Sequence, residues 1–203
     1  MSRLGRPERI GIFGGSFDPP HVGHLAVAEW ARDELGLARV LFVPAASPPH
    51  KRAPATPVRD RVAMTRLAVR GNRAFAVETL EARRAGPSWT VDTLRALARR
   101  HPRAELWLLV GADMFATLGT WREPGAIARL AAIAVAGRPG ARRTRAGRWA
   151  RGGLGVRWLG NPTLELSSSA VRTRARAGGS LRYLVPDAVG RYAERHRLYR
   201  GRA

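Results

Sequence analysis

The chain has 203 residues, 45% of them hydrophobic, and no cysteine. That length suits one domain with a sizeable core, the apolar content excludes a disordered chain, and the missing thiols exclude disulfides and thiolate metal sites. The net charge of +21 is carried almost wholly by Arg, with Lys51 the single lysine among 36 basic residues.

A charge of this size is the usual footprint of a nucleic-acid binder. Here, however, the arginines are spread along the chain and not gathered into one stripe. The reading is a uniform preference for Arg, together with a field that attracts small polyanions. A lysine kept where Arg is otherwise the rule marks Lys51 for attention. No apolar run approaches the roughly 18 residues needed to cross a bilayer, and none of signal-peptide length follows residues 1–9. The expectation is a cytoplasmic protein with no membrane and no nucleic-acid partner.

Apolar runs alternate with amphipathic stretches, the pattern of βα units around a parallel sheet. Arg9–Phe13 predicts a buried first strand, followed at once by Gly14 and Gly15. Val22–Leu35 predicts a helix with Leu25, Ala28 and Leu35 near one face and Glu29, Arg32 and Asp33 near the other. A second strand is predicted over Val40–Val43, stopped by Pro44. A helix over Arg59–Val69, a short strand over Phe75–Glu78 and a helix over Val91–Arg100 follow. Glu105–Val110 reads as a strongly apolar strand ending at Gly111, and Ala131–Ala136 as another. Helices over Ser169–Ala177 and Pro186–Arg195 close the chain as a small C-terminal helical portion. Gly137–Gly155, rich in Gly and Arg, reads as a surface loop inside a single domain spanning 1–203, not as a boundary.

The informative segment runs from Gly14 to Leu25: Gly-Gly-Ser-Phe-Asp-Pro-Pro-His-Val-Gly-His-Leu. It leaves the first strand and opens the first helix, a favoured ligand position in an open α/β sheet. Glycines there let backbone approach a phosphate, and a helix N-terminus supplies N–H donors and the positive end of a dipole. His21 and His24, three apart, share one helical face, and Gly23 between them leaves room for a ligand. The pattern is neither the Gly-x-Gly-x-x-Gly dinucleotide fingerprint nor a P-loop. Two histidines are too few for zinc, and His50, His101 and His196 lack ligand spacing with them. The bland alternative is a Gly-Pro turn with two helix-capping histidines.

The His21-x-Gly-His24 element after a Gly-x-Phe-Asp-Pro turn resembles the signature of the nucleotidylyltransferase superfamily, whose fold is Rossmann-like: a doubly wound, mostly parallel sheet flanked by helices. Leu166-Ser167-Ser168-Ser169-Ala170-Val171-Arg172 resembles that superfamily's Ile-Ser-Ser-Thr-x-Ile-Arg element, which covers the ATP phosphates. By their own chemistry, serines at a helix start cap it, and Arg172 adds a cation about one turn on. The central segments narrow the resemblance to the bacterial nicotinate-nucleotide adenylyltransferases. These are Ser47-Pro48-Pro49-His50-Lys51, Ser88-Trp89-Thr90-Val91-Asp92-Thr93-Leu94, Val110-Gly111-Ala112-Asp113 with Trp121, Gly137-Arg138-Pro139-Gly140, Tyr183-Leu184-Val185-Pro186 and Leu198-Tyr199. It runs from about Ile10 to Tyr199, with Pro20, Trp89 and Ser169 departing from the residues most common in the family.

The resemblance implies that Gly14, Gly15, Ser16, Phe17, His21, His24, Gly111, Asp113, Ser168, Ser169 and Arg172 surround ATP, and that Lys51, Thr90, Trp121 and Arg138 surround nicotinate mononucleotide. His24, with His21 beside it, is the candidate catalytic contact to the transferring phosphate. An acceptor phosphate is already largely ionised at neutral pH, its second pKa being about 6. No general base or covalent intermediate is required, and catalysis reduces to alignment and charge stabilisation. Mg²⁺ is expected to arrive with ATP, held by phosphates and water, with no protein metal ligand assigned. The same chemistry on nicotinamide mononucleotide or pantetheine phosphate stays open, as do an ATP-holding regulator, a basic nucleic-acid-binding module and a homo-oligomeric state.

Overall fold

The computed structural model of the chain describes residues 7–48, 54, 56–137 and 155–200. Six strands form one sheet: β1 (Arg9–Gly15), β2 (Arg39–Pro44), β3 (Phe75–Val77), β4 (Glu105–Gly111), β5 (Ala132–Ala136) and β6 (Val156–Trp158). Their spatial order is β3-β2-β1-β4-β5-β6, and every pairing is parallel. This is the doubly wound order, with β1 and β4 adjacent at the point where the winding reverses.

The strands read as near-continuous apolar runs because both faces are covered. Side chains alternate across the sheet. Ile10 and Ile12, Leu41 and Val43, Leu106, Leu108 and Val110, and Ile133 and Val135 share one core with Val91, Leu94 and Leu97 of α3 (Thr90–Arg100). Phe115 of α4 (Ala112–Ala116) and Ile127 of α5 (Pro124–Leu130) join the same core. Phe13, Val40, Phe42, Leu109 and Ala134 face the other way, onto Ala28, Ala31 and Leu35 of α1 (Val22–Leu35) and Val69 of α2 (Val58–Val69). α1 ends at Gly36, whose φ of 62° is left-handed, and the Leu37 N–H returns to the Arg32 carbonyl at 2.9 Å. Glycine adopts that conformation without the cost a Cβ would add.

The C-terminal part forms a third, smaller core. Val171 of α6 (Ser168–Arg176), Val189 and Ala193 of α7 (Asp187–Arg195), Val185 and Tyr199 pack on Met64 and Ala68 of α2. The predicted strands and helices lie within one or two residues of the observed ones. Four short elements escaped the sequence: α4, a 3-10 turn over Leu118–Thr120, α5 and β6, of five, three, seven and three residues. Runs that short hold too few positions to establish a period. The predicted loop over Gly137–Gly155 falls, between those two residues, outside the described residues. No helix among the described residues is long and apolar enough to cross a membrane.

Leu97 is fully buried on the α3 face, away from the crevice at the strand ends. Leu97→Ala is expected to lower unfolding stability by about 2–5 kcal/mol. Chemical denaturation measures this, and a loss under about 1 kcal/mol would mean the α3 face repacks freely.

Candidate active site

Two cavities open beyond the carboxyl ends of the strands. The larger, about 830 Å³, is lined by the turn after β1, by His21 and His24, and by Ser167, Ser168, Ser169 and Arg172 of the α6 start. The smaller, about 130 Å³, is mostly apolar and takes Ser88, Trp89, Thr90, Met114, Trp121 and Arg122 into its wall. Gly14, Gly15, Ser16, Gly111 and Met114 line both, so the cavities meet over the ends of β1 and β4.

Local packing explains the turn. Phe17 is buried and held at a φ of 47°, a left-handed conformation uncommon for a non-glycine residue. Its ring packs against Phe13, Phe42 and His24, at centroid distances of 5.8, 5.6 and 5.1 Å. Phe17 thus anchors the turn from below, and the polar atoms around it meet the larger cavity. Gly23 leaves the His21 ring its place: a Cβ there would stand 3.1 Å from Nδ1 of His21, close enough that the ring would have to shift.

The histidines combine the two readings the sequence allowed. His21 is the N-cap of α1, and its backbone N–H donates to Nδ1 of His24 at 3.2 Å. With Nδ1 committed as an acceptor, the neutral His24 ring carries its proton on Nε2, the remaining donor. The two rings stack at 3.7 Å between centroids. Capping therefore fixes the tautomer and does not compete with ligand binding. The first N–H of α1, that of Val22, is taken by the Leu184 carbonyl at 3.0 Å. This amide is therefore already committed within the fold.

The α6 start closes over the same turn. Ser167 caps the helix by accepting from the Ala170 N–H at 3.1 Å. Ser168 Oγ donates to the Pro19 carbonyl at 2.9 Å, and Arg172 Nη1 donates to the Asp18 carbonyl at 2.7 Å. Arg172 Nη2 also reaches Ser169 Oγ at 3.1 Å, while its buried Nε has no hydrogen-bond partner among the described residues. A buried donor without a partner costs free energy that an incoming acceptor relieves. Asp113 is exposed, in the first turn of α4 on the rim of the larger cavity. No group of three or more His, Cys, Asp or Glu that could hold a metal ion occurs among the described residues.

In the smaller cavity Thr90 begins α3 and Trp121 follows a short turn. Trp121 Nε1 donates to Thr117 Oγ1 at 3.4 Å, and the Arg122 guanidinium lies 5.5 Å over the Trp89 ring. Every candidate ATP contact lines the larger cavity, and Thr90 and Trp121 line the smaller. Lys51 and Arg138 lie outside the described residues.

Sequence reasoning missed several supporting groups. Asn161 accepts from the Gly137 N–H at 2.9 Å and donates to its carbonyl at 3.3 Å, pinning the chain as it leaves β5. Tyr199 donates to the buried Asp18 carboxylate at 2.7 Å, and burial pushes its hydroxyl pKa upward. Ser88 Oγ accepts from the Ala46 and Ser47 N–H groups at 3.0 and 3.3 Å. Glu81, 6% exposed, accepts from Thr93 Oγ1 at 2.6 Å in the wall of the smaller cavity. No residue spacing marks Asn161 or Glu81, whose partners lie far along the chain or across a loop.

The cytidylyltransferase-like family model matches residues 12–174. A probable nicotinate-nucleotide adenylyltransferase of Thermomicrobium roseum is 46% identical, over 95% of this chain and 92% of its own length. Those of Geobacter sulfurreducens and Thermus thermophilus are 43% and 46% identical, covering 94% and 95% of this chain and 98% and 100% of their own. Among solved structures, the fold is similar to that of the Plasmodium falciparum nicotinic acid mononucleotide adenylyltransferase complexed with NaAD, with a TM-score of 0.79 at 18% identity over 95% of this chain and 97% of that one.

Burial pushes the Glu81 carboxyl above the ordinary carboxylate range, opposed by hydrogen bonds from Thr93 and Ser88 and by the charge of Arg84. The folded protein therefore holds this proton to higher pH than the unfolded chain does. Glu81 contributes stability at pH below the ordinary carboxylate value, and that contribution is lost as pH rises through the raised one. Stability of Glu81→Gln relative to the parent is expected to improve as pH rises through that window. Urea unfolding at a series of pH values measures it, and a difference independent of pH would contradict the assignment.

Proposed function

This chain belongs to the cytidylyltransferase-like family and, within it, to the nicotinate-nucleotide adenylyltransferases, and on that premise we propose how its residues transfer the AMP moiety of ATP to nicotinate mononucleotide. The products are nicotinate adenine dinucleotide and pyrophosphate, in a step of NAD biosynthesis. One observation carries the assignment of roles. A large polar cavity under a histidine pair and a helix N-terminus meets a small aromatic one over the turn after β1.

ATP occupies the larger cavity in this reading, with its phosphates between Gly14, Gly15 and Ser16 on one side and Ser168, Ser169 and Arg172 on the other. Gly111 and Asp113 border the nucleoside, and Phe17 supports the turn. The acceptor places its flat pyridine ring against Trp121 near Thr90, a contact suited to an indole. Lys51 and Arg138 are assigned to the acceptor from their place in the sequence.

The acceptor phosphate attacks the α-phosphorus of ATP in line, and pyrophosphate leaves on the opposite side. The new O–P bond forms as the bond to the β-phosphate bridge breaks, so charge moves onto the pyrophosphate. His24 donates Nε2–H to the transferring phosphate, His21 stacks against it, and Arg172 meets the charge that develops. These donors are oriented before substrate arrives, which is where electrostatic catalysis draws its advantage. A divalent metal, assigned here as Mg²⁺, would arrive with ATP, be held by its phosphates and water, and supply charge screening of the triphosphate.

His24→Ala is expected to lower kcat by on the order of 10² or more, with an unchanged circular dichroism spectrum. A fully active variant would remove the histidine from the mechanism. Pyrophosphate release from Mg·ATP, with nicotinate and nicotinamide mononucleotides offered in parallel, tests the acceptor. Rapid release with the acid and little with the amide is expected. Equal rates would discard the acid preference, and none with either would overturn the acceptor assignment.

A further inference from the structure

Arg61 lines neither cavity, yet it touches the backbone that shapes both. It lies in α2, is 1% exposed, and is among the largest fully buried side chains. Its guanidinium donates to three backbone carbonyls. Nη1 reaches Ser16 at 2.7 Å, Nε reaches Thr56 at 3.0 Å and Nη2 reaches Ala46 at 3.2 Å. Burial lowers its pKa, while the nearby charge of Asp18 acts the other way. A buried arginine is rare, and its cost is met only when its donors are satisfied.

The three carbonyls belong to separate stretches. Ser16 sits in the turn after β1 and lines both cavities. Ala46 follows β2, between Ala45 and Pro48 of the smaller cavity wall. Thr56 precedes α2. The peptide at Ala46 is gripped from the far side as well, because Ser88 Oγ accepts its N–H. The Ala45 N–H donates to the Gly15 carbonyl at 2.9 Å, so the two stretches already touch. A planar guanidinium holds its donors in one rigid fork, which a lysine ammonium on a flexible stem does not.

We propose that Arg61 is a positioning residue whose buried guanidinium sets the phosphate turn after β1 and the acceptor loop after β2 in register, coupling the two substrate sites. The proposal rests on the two-site reading above. In-line transfer needs both reactants aligned, and a misplacement of about 1 Å can cost about 100-fold in rate. Arg61 thus acts on the chemistry through the backbone of Ser16 and Ala46, without touching substrate.

The test compares Arg61→Lys, Arg61→Met and Ser88→Ala with the parent enzyme, after circular dichroism and melting curves have established folding. Initial rates are measured with Mg·ATP and nicotinate mononucleotide varied in turn. The affinity of α,β-methylene ATP, without acceptor, is measured by calorimetry. Both Arg61 variants are expected to lose about 100-fold in kcat, to raise both KM values, and to bind the analogue more weakly. Ser88→Ala, which loosens the acceptor side and makes no contact with the turn after β1, is expected to raise the acceptor KM and leave the ATP KM alone. A merely structural Arg61 would lower the melting temperature while both KM values stayed at the parent's. That result, or a change confined to one substrate, would overturn the proposal. If Arg61→Met does not fold, Arg61→Lys decides by the same criteria. If the parent transfers nothing to nicotinate mononucleotide, the substrate reading fails, while an unchanged analogue affinity in Arg61→Lys would independently sink the coupling.

Discussion

Parallel pairing of β1 with β4 at the centre of the sheet is the constraint on which the site depends. The chain leaving β1 turns onto the face that α1 covers, and the chain leaving β4 runs into α4 on the opposite face. Two connections that diverge from adjacent strand ends cannot fill the space between them, so a crevice opens there without any side chain being removed. Gly14, Gly15, Ser16 and Gly111 form its floor. Their small size leaves this backbone open to both cavities.

What turns that crevice into a reaction site is the return of the C-terminal segment. Ser168 and Arg172 bond the carbonyls of Pro19 and Asp18, and Tyr199 bonds the Asp18 carboxylate. The turn after β1 is thereby held from above by α6, from the side by Tyr199 and from below by the Phe17 ring. Arg61 completes the support by taking the Ser16 carbonyl. Catalysis by alignment depends on such stiffness, since the donors have to be oriented before charge moves. The strong positive charge of the chain fits this task, because both reactants are anions and a positive field raises their local concentration.

Much of this was legible beforehand. Alternating apolar and amphipathic runs placed every long element, and the Gly14–His24 and Leu166–Arg172 segments carried the resemblance to the family. The unread parts were short or non-local. Residues 112–116 and 156–158 are too brief to show periodicity, and α4 nonetheless carries Asp113. In the sequence Arg61 is one of 35 arginines, with no motif or spacing to mark it. Among the described residues only its burial sets it apart from the other arginines, and burial is not written in composition.

By itself the sequence determined the order of the long βα units and the serine cap at the start of α6. Those follow from interactions within a few residues, where spacing and geometry coincide. Only the tertiary structure decided that Arg172 meets the Asp18 carbonyl across 154 positions, that the Tyr199 hydroxyl meets the Asp18 carboxylate, and that one guanidinium joins Ser16, Ala46 and Thr56. Such contacts are set by how the sheet twists and how α2, α6 and α7 pack together. The reason is physical: a hydrogen bond needs distance and direction, and separation along a chain specifies neither once the chain has folded back on itself.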